Sequence, residues 1–183
     1  MIMNKDKFWE MIETARASAK GDYDKTEKLL INSLKRLSNH DIVLYKDIND
    51  EYIRLADRKG IYDAACNLND YGLGDDAFLD FRAWLVGQGK EAYMNALKDS
   101  ESILKLDAVP RNGYFEWETF NYIASYAMDK KCGQDLYSMK SVITGAQKDK
   151  IAGEIEYGAA NLESNVSELQ QILYESHSEM KMG

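Results

Sequence analysis

The sequence has very little proline, cysteine and histidine, and each shortage excludes a class of protein. Pro110 is the only proline among 183 residues, which favours long helices because proline disrupts a helix interior. The two cysteines, Cys66 and Cys132, are too few for the disulfide framework of a small secreted domain. The two histidines, His40 and His177, stand apart from the cysteines. Without the clustered ligands of a zinc site, we expect no metal and no cofactor.

Long hydrophobic runs are also missing. No stretch approaches the roughly 18 apolar residues needed to span a bilayer, and the N-terminal residues show an amphipathic pattern instead of a signal-peptide core. The formal net charge is −8, from 31 acidic and 23 basic residues, and a surface of that sign repels phosphate backbones. We therefore expect a cytoplasmic protein that binds neither membranes nor nucleic acids.

The sequence does contain helical periodicity along most of its length. Apolar residues recur at intervals of three and four, as on one face of a helix. No strand pattern extends beyond a few residues, and 183 residues suit one domain. The sequence predicts an all-α, compact multi-helix domain of antiparallel helices, with a long helix near the C-terminus. The predicted helices begin near Asp6, Asp22, Ser38, Ile61, Asp75, Glu91, Asp99, Tyr114, Leu136 and Ile151.

Glycines and polar residues mark the predicted boundaries of these helices. Gly21 is expected to end the first helix and Gly60 the third. Asp22 is a candidate N-cap for the second helix, and either Ser38 or Asn39 for the third. Gly87-Gln88-Gly89 is expected to break or bend the helix that begins at Asp75. Residues 107–113 hold the only proline and form the clearest predicted loop.

The C-terminal third divides less clearly. One helix is predicted from Tyr114 to Lys131, a second around residues 136–143, and a long third over residues 151–173, whose apolar stripe could cover the domain or join two copies of the chain. The tail, residues 176–183, is predicted to be disordered. We interpret residues 1–175 as a single domain, with a body over 5–133 and a helical extension over 134–175.

Asp75 and Asp76, followed by Arg82, form the sharpest polar cluster in the chain. On a helix, Arg82 lies about two turns from Asp75 and therefore on a similar side. One interpretation is a pocket in which Arg82 grips an anion while an aspartate transfers protons. The other is structural: Asp75 caps the helix, Asp76 complements its dipole, and Arg82 pairs with one of them.

Four aromatic residues accompany this cluster as supporting candidates: Trp9, Phe78, Phe81 and Trp84. The row on the helix after Asp75 could line a ligand groove, although core packing explains it more simply. No nucleophile-elbow sequence is present, and Gly72-Leu73-Gly74 lacks the lysine and third glycine of a phosphate-binding loop. No motif therefore identifies the chain as an enzyme.

The stretch from Gly74 to Lys90 resembles the signature of a bacterial family catalogued as domain of unknown function 4240. The matching residues are Asp75-Asp76, Phe81-Arg82, Trp84-Leu85 and Gly87-Gln88-Gly89, and the resemblance covers about residues 5–133. Ala77 departs from the glycine usual there. The resemblance implies a helical domain, sometimes joined to other modules such as a WGR domain, with no agreed activity.

Two functions agree with these features. The net charge of −8 and the lack of catalytic motifs favour an acidic protein-interaction module, of the immunity or antitoxin kind, that binds a basic protein. The alternative is a small-molecule-binding protein or enzyme with its polar site at Asp75, Asp76 and Arg82. Homo-oligomer formation through residues 151–173 is compatible with either function.

Overall fold

The computed structural model describes residues 2–70 and 72–163. Within these residues the chain is all-α, as predicted, and contains no strand. Three short 3-10 helices lie at Ser100–Lys105, Leu136–Ser138 and Ala159–Asn161. The α-helices are α1 (Lys5–Ala19), α2 (Tyr23–Leu34), α3 (Asn39–Leu55), α4 (Lys59–Asn69), α5 (Asp75–Gly87), α6 (Lys90–Lys98), α7 (Glu118–Asn121), α8 (Ile123–Cys132) and α9 (Gly145–Ala152).

Side-chain caps define the starts of the first three helices. Asn4 accepts hydrogen bonds from two backbone amides of α1, and Asp22 and Ser38 each accept one at the start of α2 and α3. Each cap satisfies an amide that has no partner within the helix. Helix α1 ends at Ala19 with Lys20 as its left-handed C-cap, so the predicted end at Gly21 is two residues late. Both Lys20 and Gly21 have positive φ in the turn to α2.

The core is rich in aromatic side chains. Tyr52 of α3 lies at its centre: its ring centroid is 4.6 Å from that of Trp9, 5.3 Å from that of Tyr93 and 5.5 Å from that of Phe8. Helix α3 packs against α1, α5, α8 and α9, and α1 packs against α2. None of the described helices is long and apolar enough to cross a membrane.

The prediction that Gly60 ends the third helix is wrong. Helix α3 already ends at Leu55, and Gly60 lies in the first turn of α4. A Cβ on Gly60 would lie 2.6 Å from the side-chain oxygen of Asn161, so this glycine permits a close approach of the C-terminal segment.

The long helix predicted from Tyr114 to Lys131 is shorter and broken in two. Residues 114–117 are not helical because their amides bond elsewhere: Phe115 N donates to the side chain of Asn69 (2.9 Å), and Trp117 N donates to the carbonyl of Asp80 (3.0 Å). Helices α7 and α8 begin only after these tertiary contacts.

The helix predicted around residues 136–143 is also wrong. Only a 3-10 turn forms there, and the segment after it is extended. The buried carboxylate of Asp47 on α3 accepts hydrogen bonds from Val142 N (2.6 Å), Ile143 N (3.0 Å) and the hydroxyl of Ser141 (3.0 Å). A buried carboxylate needs such donors, and supplying them keeps this backbone out of a helix.

The long helix predicted over 151–173 is wrong as far as residue 163. Helix α9 ends at Ala152, and Gly158 N donates instead to the carbonyl of Leu97 (3.0 Å). Asn161 is fully buried; its side-chain amide donates to the carbonyls of Ala96 (3.0 Å) and Leu97 (2.8 Å). The remainder of that prediction, residues 164–173, and the predicted tail at 176–183 lie outside the described residues.

Candidate functional site

Arg82, the basic residue of the predicted site, is buried on α5 with only 7% of its surface exposed. Its Nη1 donates to the carbonyl of Ile53 (3.2 Å) and lies 3.5 Å from Oδ2 of Asp57. Its Nε donates to the carbonyl of Phe78 (3.3 Å), and the guanidinium stacks 4.7 Å from the centre of that ring. Arg82 therefore ties α5 to the end of α3, with Asp57 as its ion-pair partner instead of Asp75 or Asp76.

Asp75 and Asp76 are exposed residues in the first turn of α5. The N-cap position belongs to Gly74, so the prediction that Asp75 caps this helix is wrong. Both carboxylates lie where the helix dipole favours negative charge. Asp76 lines a pocket beside Arg82, whereas Asp75 does not line it.

The four supporting aromatic residues belong to the core. Trp9, Phe78, Phe81 and Trp84 are each no more than 2% exposed. Phe81 and Trp84 pack with ring centroids 5.1 Å apart. These side chains fill the interior beneath the candidate site and do not line a ligand groove, as the simpler interpretation predicted.

An open pocket of about 590 Å³ lies beside Arg82. It is formed by α3, α5, α7 and the segment after α8. Its size is within the range of about 300–1,000 Å³ that is typical of ligand sites. The residues that line it are Lys46, Asp50, Ile53, Arg54, Asp76, Leu79, Asp80, Arg82, Glu118, Asn121, Tyr122 and Tyr137.

The basic side chains in this pocket already have acidic partners. Lys46 Nζ lies 2.5 Å from Asp50 and Arg54 Nη2 lies 2.6 Å from Glu51, while Arg82 pairs with Asp57. The remaining three acidic residues of the pocket, Asp76, Asp80 and Glu118, form no ion pair within residues 2–70 and 72–163. The wall that they form is therefore negative and has no counter-charge of its own.

Asp80 is the most perturbed of these carboxyl groups. Burial and the negative charges of Glu118, Glu116 and Asp76 together raise its pKa from 3.8 to about 6, with burial as the largest cause. A hydrogen bond from the side-chain amide of Asn121 (3.1 Å) opposes this shift. A carboxyl group whose pKa rises in this way is poorly solvated and repelled by its neighbours. A cation in the pocket would relieve both effects.

Two exposed tyrosines, Tyr122 and Tyr137, line the pocket, and a third, Tyr126, lies next to Tyr122. Tyr122 is 37% exposed, Tyr126 42% and Tyr137 56%. The ring of Tyr122 lies 6.3 Å from each of the other two rings, so the three form one surface cluster. Lys46 lies 5.9 Å above the ring of Tyr137, which connects this tyrosine cluster to the pocket.

No pattern in the sequence predicted that most of these residues would lie together in the fold. The spacing of four between Asp76 and Asp80 places both on one face of α5, and this pattern was available. Glu118 joins them through tertiary packing, which includes the hydrogen bond from Trp117 N to the carbonyl of Asp80 (3.0 Å). In the part of the chain that the structure describes, no group of three or more His, Cys, Asp or Glu side chains could hold a metal ion.

Comparison with known proteins identifies one family. A family model described as a protein of unknown function, DUF4240, matches residues 3–130, close to the span of 5–133 predicted from the signature residues. No curated protein and no solved structure matches the chain. Because the family model covers well over half of its length, the chain belongs to the DUF4240 family of proteins of unknown function.

Proposed function

We propose that this protein is an acidic binding module that takes a lysine or arginine side chain of a basic protein partner into the pocket between α3, α5 and α7. The observation that carries the proposal is the convergence of Asp76, Asp80 and Glu118 on an open pocket whose basic residues are already paired. Such a module could act as an immunity or antitoxin protein, which binds a basic protein partner.

The electrostatics of the pocket favour a cation. A unit charge about 4 Å from a carboxylate gains about 4 kcal/mol at an effective dielectric constant of about 20, before its own desolvation is subtracted. Asp80 offers the largest gain, because it is half-buried and repelled by its acidic neighbours. The net charge of −8 also attracts a basic partner at longer range, which raises the rate of encounter.

The tyrosine cluster favours a protein as the source of that cation. Tyrosine is enriched at protein interfaces because it adds a large contact area and a polar group with little loss of conformational freedom. Tyr122, Tyr126 and Tyr137 lie together beside the pocket, and Leu79 at its edge is 39% exposed. A partner that inserts a basic side chain would cover these groups.

The test uses hexalysine, acetylated only at its N-terminus, as a minimal basic ligand, and hexaglutamate as the reverse-charge control. Each peptide is titrated calorimetrically at low ionic strength. We expect hexalysine to bind and the double variant Asp76→Asn/Asp80→Asn to weaken it by about tenfold, or about 1.4 kcal/mol. The matched control is Glu101→Gln/Asp149→Asn, which removes the same charge from exposed positions outside the pocket. Equal weakening by both double variants would contradict a site at the pocket.

A second candidate is a small-molecule-binding protein or enzyme that uses the same pocket. It is favoured by the cavity of about 590 Å³ next to Arg82 and by the raised pKa of Asp80, which suits proton transfer near neutral pH. Titration with spermidine separates the candidates. Binding that is tighter than that of hexalysine, and unchanged in Tyr122→Ala/Tyr137→Ala, would favour a small cationic ligand over a protein.

A further inference from the structure

The Gly87-Gln88-Gly89 turn, which belongs to the signature of the family, lies away from the acidic pocket and makes different contacts. A Cβ on Gly87 would lie 2.6 Å from the ring of Trp117. Gln88 is only 8% exposed, and its side-chain amide donates to the carbonyl of Trp84 (3.1 Å). Its side-chain oxygen is thereby aimed at Arg16, whose Nη2 donates to it at 3.0 Å.

Gly89, in the same turn, also lies against the guanidinium of Arg16. It has a φ of +98°, and a Cβ at this position would lie 3.3 Å from Nη1 of Arg16. Any other residue would be strained and would crowd the guanidinium. The turn between α5 and α6 therefore orients one nitrogen of Arg16 and leaves space for another.

Arg16 has no acidic ion-pair partner among residues 2–70 and 72–163. It is partly buried in the last turn of α1, and Gln88 is its one side-chain hydrogen-bond partner among those residues. Burial lowers the pKa of its guanidinium, against the smaller influence of Tyr23 and Glu13. A partly desolvated guanidinium with free N–H groups is an anion receptor, because its planar fork matches two oxygens of a carboxylate or phosphate.

A cavity of about 250 Å³ opens in front of this arginine. Its polar end holds Arg16, Lys20 and Gln88, and its walls include Trp117 and Val109. Pockets for drug-sized ligands typically have volumes of about 300–1,000 Å³. The smaller volume of this cavity suits a ligand with fewer atoms.

Two other side chains at the cavity affect which ligand fits. The Tyr23 hydroxyl is already committed, since it accepts from Trp84 Nε1 (3.0 Å) and donates to the carbonyl of Val109 (2.7 Å). Asp107, the acidic residue that lines the cavity, is exposed and forms no ion pair with Arg16 or Lys20. Arg16 and Lys20 therefore leave an excess of positive charge at the polar end.

We propose that this cavity is a binding site for a small anion with a carboxylate or phosphate group, held by Arg16 in the orientation that Gln88 and Gly89 impose. The negative net charge of the protein does not oppose such a site strongly, because charges more than about 10 Å away are screened at moderate salt. A short apolar part of the ligand would lie against Trp117. The proposal is independent of the acidic pocket, which contains none of these residues.

The test is a titration with inorganic phosphate and, separately, with acetate, both at constant ionic strength maintained with sodium chloride. Binding is followed on the full-length protein by the ¹⁵Nε resonance of Arg16. We expect at least one of the two anions to shift this resonance saturably, and the stronger ligand identifies the preferred group. If neither anion produces a saturable shift, the proposal is overturned.

Three variants distinguish the site from general effects of charge. In the variants, binding is followed by the amide resonances of the Gln88 turn. Arg16→Gln should reduce the affinity at least about tenfold, the usual result of losing a charged hydrogen-bond pair. Arg16→Lys, which keeps the charge and most of the aliphatic stem, should also weaken binding because it loses the planar fork. Arg36→Gln removes an exposed arginine just after the end of α2 that has no ion pair in the described residues, and it should change nothing. If Arg36→Gln weakens binding as much as Arg16→Gln, the site is not at Arg16.

Discussion

At the scale of single residues, Asp80 combines partial burial with three acidic neighbours. Its folded-state pKa is about 6, above the ordinary value of 3.8, so the folded state binds the proton more tightly than the unfolded state does. The stability contributed by that proton is present below about pH 4 and is lost as the pH rises through about 6. At neutral pH the ionised Asp80 therefore destabilises the fold.

We predict that Asp80→Asn stabilises the protein at pH 7.5, by about 1 kcal/mol once solvent screening of this partly exposed group is taken into account. The asparagine oxygen can still accept the hydrogen bond from Asn121. The gain should disappear near pH 4, where the wild-type carboxyl group is neutral. Urea unfolding at both values measures this. The matched control, Asp149→Asn, should show no such difference, and an equal gain in both variants would contradict the raised pKa.

Arg82 has a structural role in this account, in contrast to the ligand-gripping role that was one interpretation of the sequence. Its side chain and that of Asp57 are 9% and 10% exposed, and breaking a buried ion pair costs several kcal/mol. We predict that Arg82→Ala lowers the free energy of unfolding by about 3 kcal/mol. Lys59→Ala breaks the exposed pair with Asp63 (54% and 55% exposed) and should lower the stability far less, because solvent screens an exposed pair. Equal stability of the two variants, measured in urea, would show that Arg82 does not hold the fold.

At the scale of helices and segments, local patterns predicted the first half of the chain well. Asp22 and Ser38 cap their helices with side-chain oxygens, as predicted, and such capping depends on residues within one turn. The same holds for the glycine turn after α5. The aspartate cluster at the start of α5 was found for the same reason, although Glu118 and the tyrosines that complete its pocket were not.

Local patterns failed where a distant side chain competes for backbone hydrogen bonds. The spacing of Val142 and Ile143 is helical, but their amides bond the carboxylate of Asp47, more than ninety residues earlier in the chain. Asn161 acts similarly on the carbonyls of Ala96 and Leu97. No sequence periodicity encodes these contacts, so the helices predicted over 136–143 and 151–173 were wrong in the described residues.

The segment after α9 offers a sharp test at this scale. A Cβ on Gly158 would lie 1.8 Å from the carbonyl oxygen of Lys98, a distance that only movement of the backbone can relieve. We predict that Gly158→Ala lowers the free energy of unfolding by about 3 kcal/mol or more. Gly145→Ala is the matched control: nothing lies within 4 Å of its added methyl group, and alanine favours the helix there. Thermal unfolding should rank the two variants in this order, and similar melting temperatures would contradict the described packing.

At the scale of the whole molecule, the sequence predicted the fold class and the family but only half of the candidate site. The core aromatics and the net charge follow from composition and periodicity. The pocket depends on the packing of α3, α5 and α7, which lies beyond local patterns. Homo-oligomer formation through 151–173 stays a prediction, although Ile151 is 1% exposed and already belongs to the core of one chain.

The central claim is that the acidic pocket binds a cationic group, and the pKa of Asp80 reports on it most directly. The carboxyl ¹³C resonance of Asp80 is titrated with pH, with and without saturating hexalysine. Because a nearby cation favours the charged form, the account predicts a pKa of about 6 in the free protein that falls by about one unit or more in the complex. A pKa that hexalysine leaves unchanged, or shifts no more than that of the exposed Glu101, would contradict it.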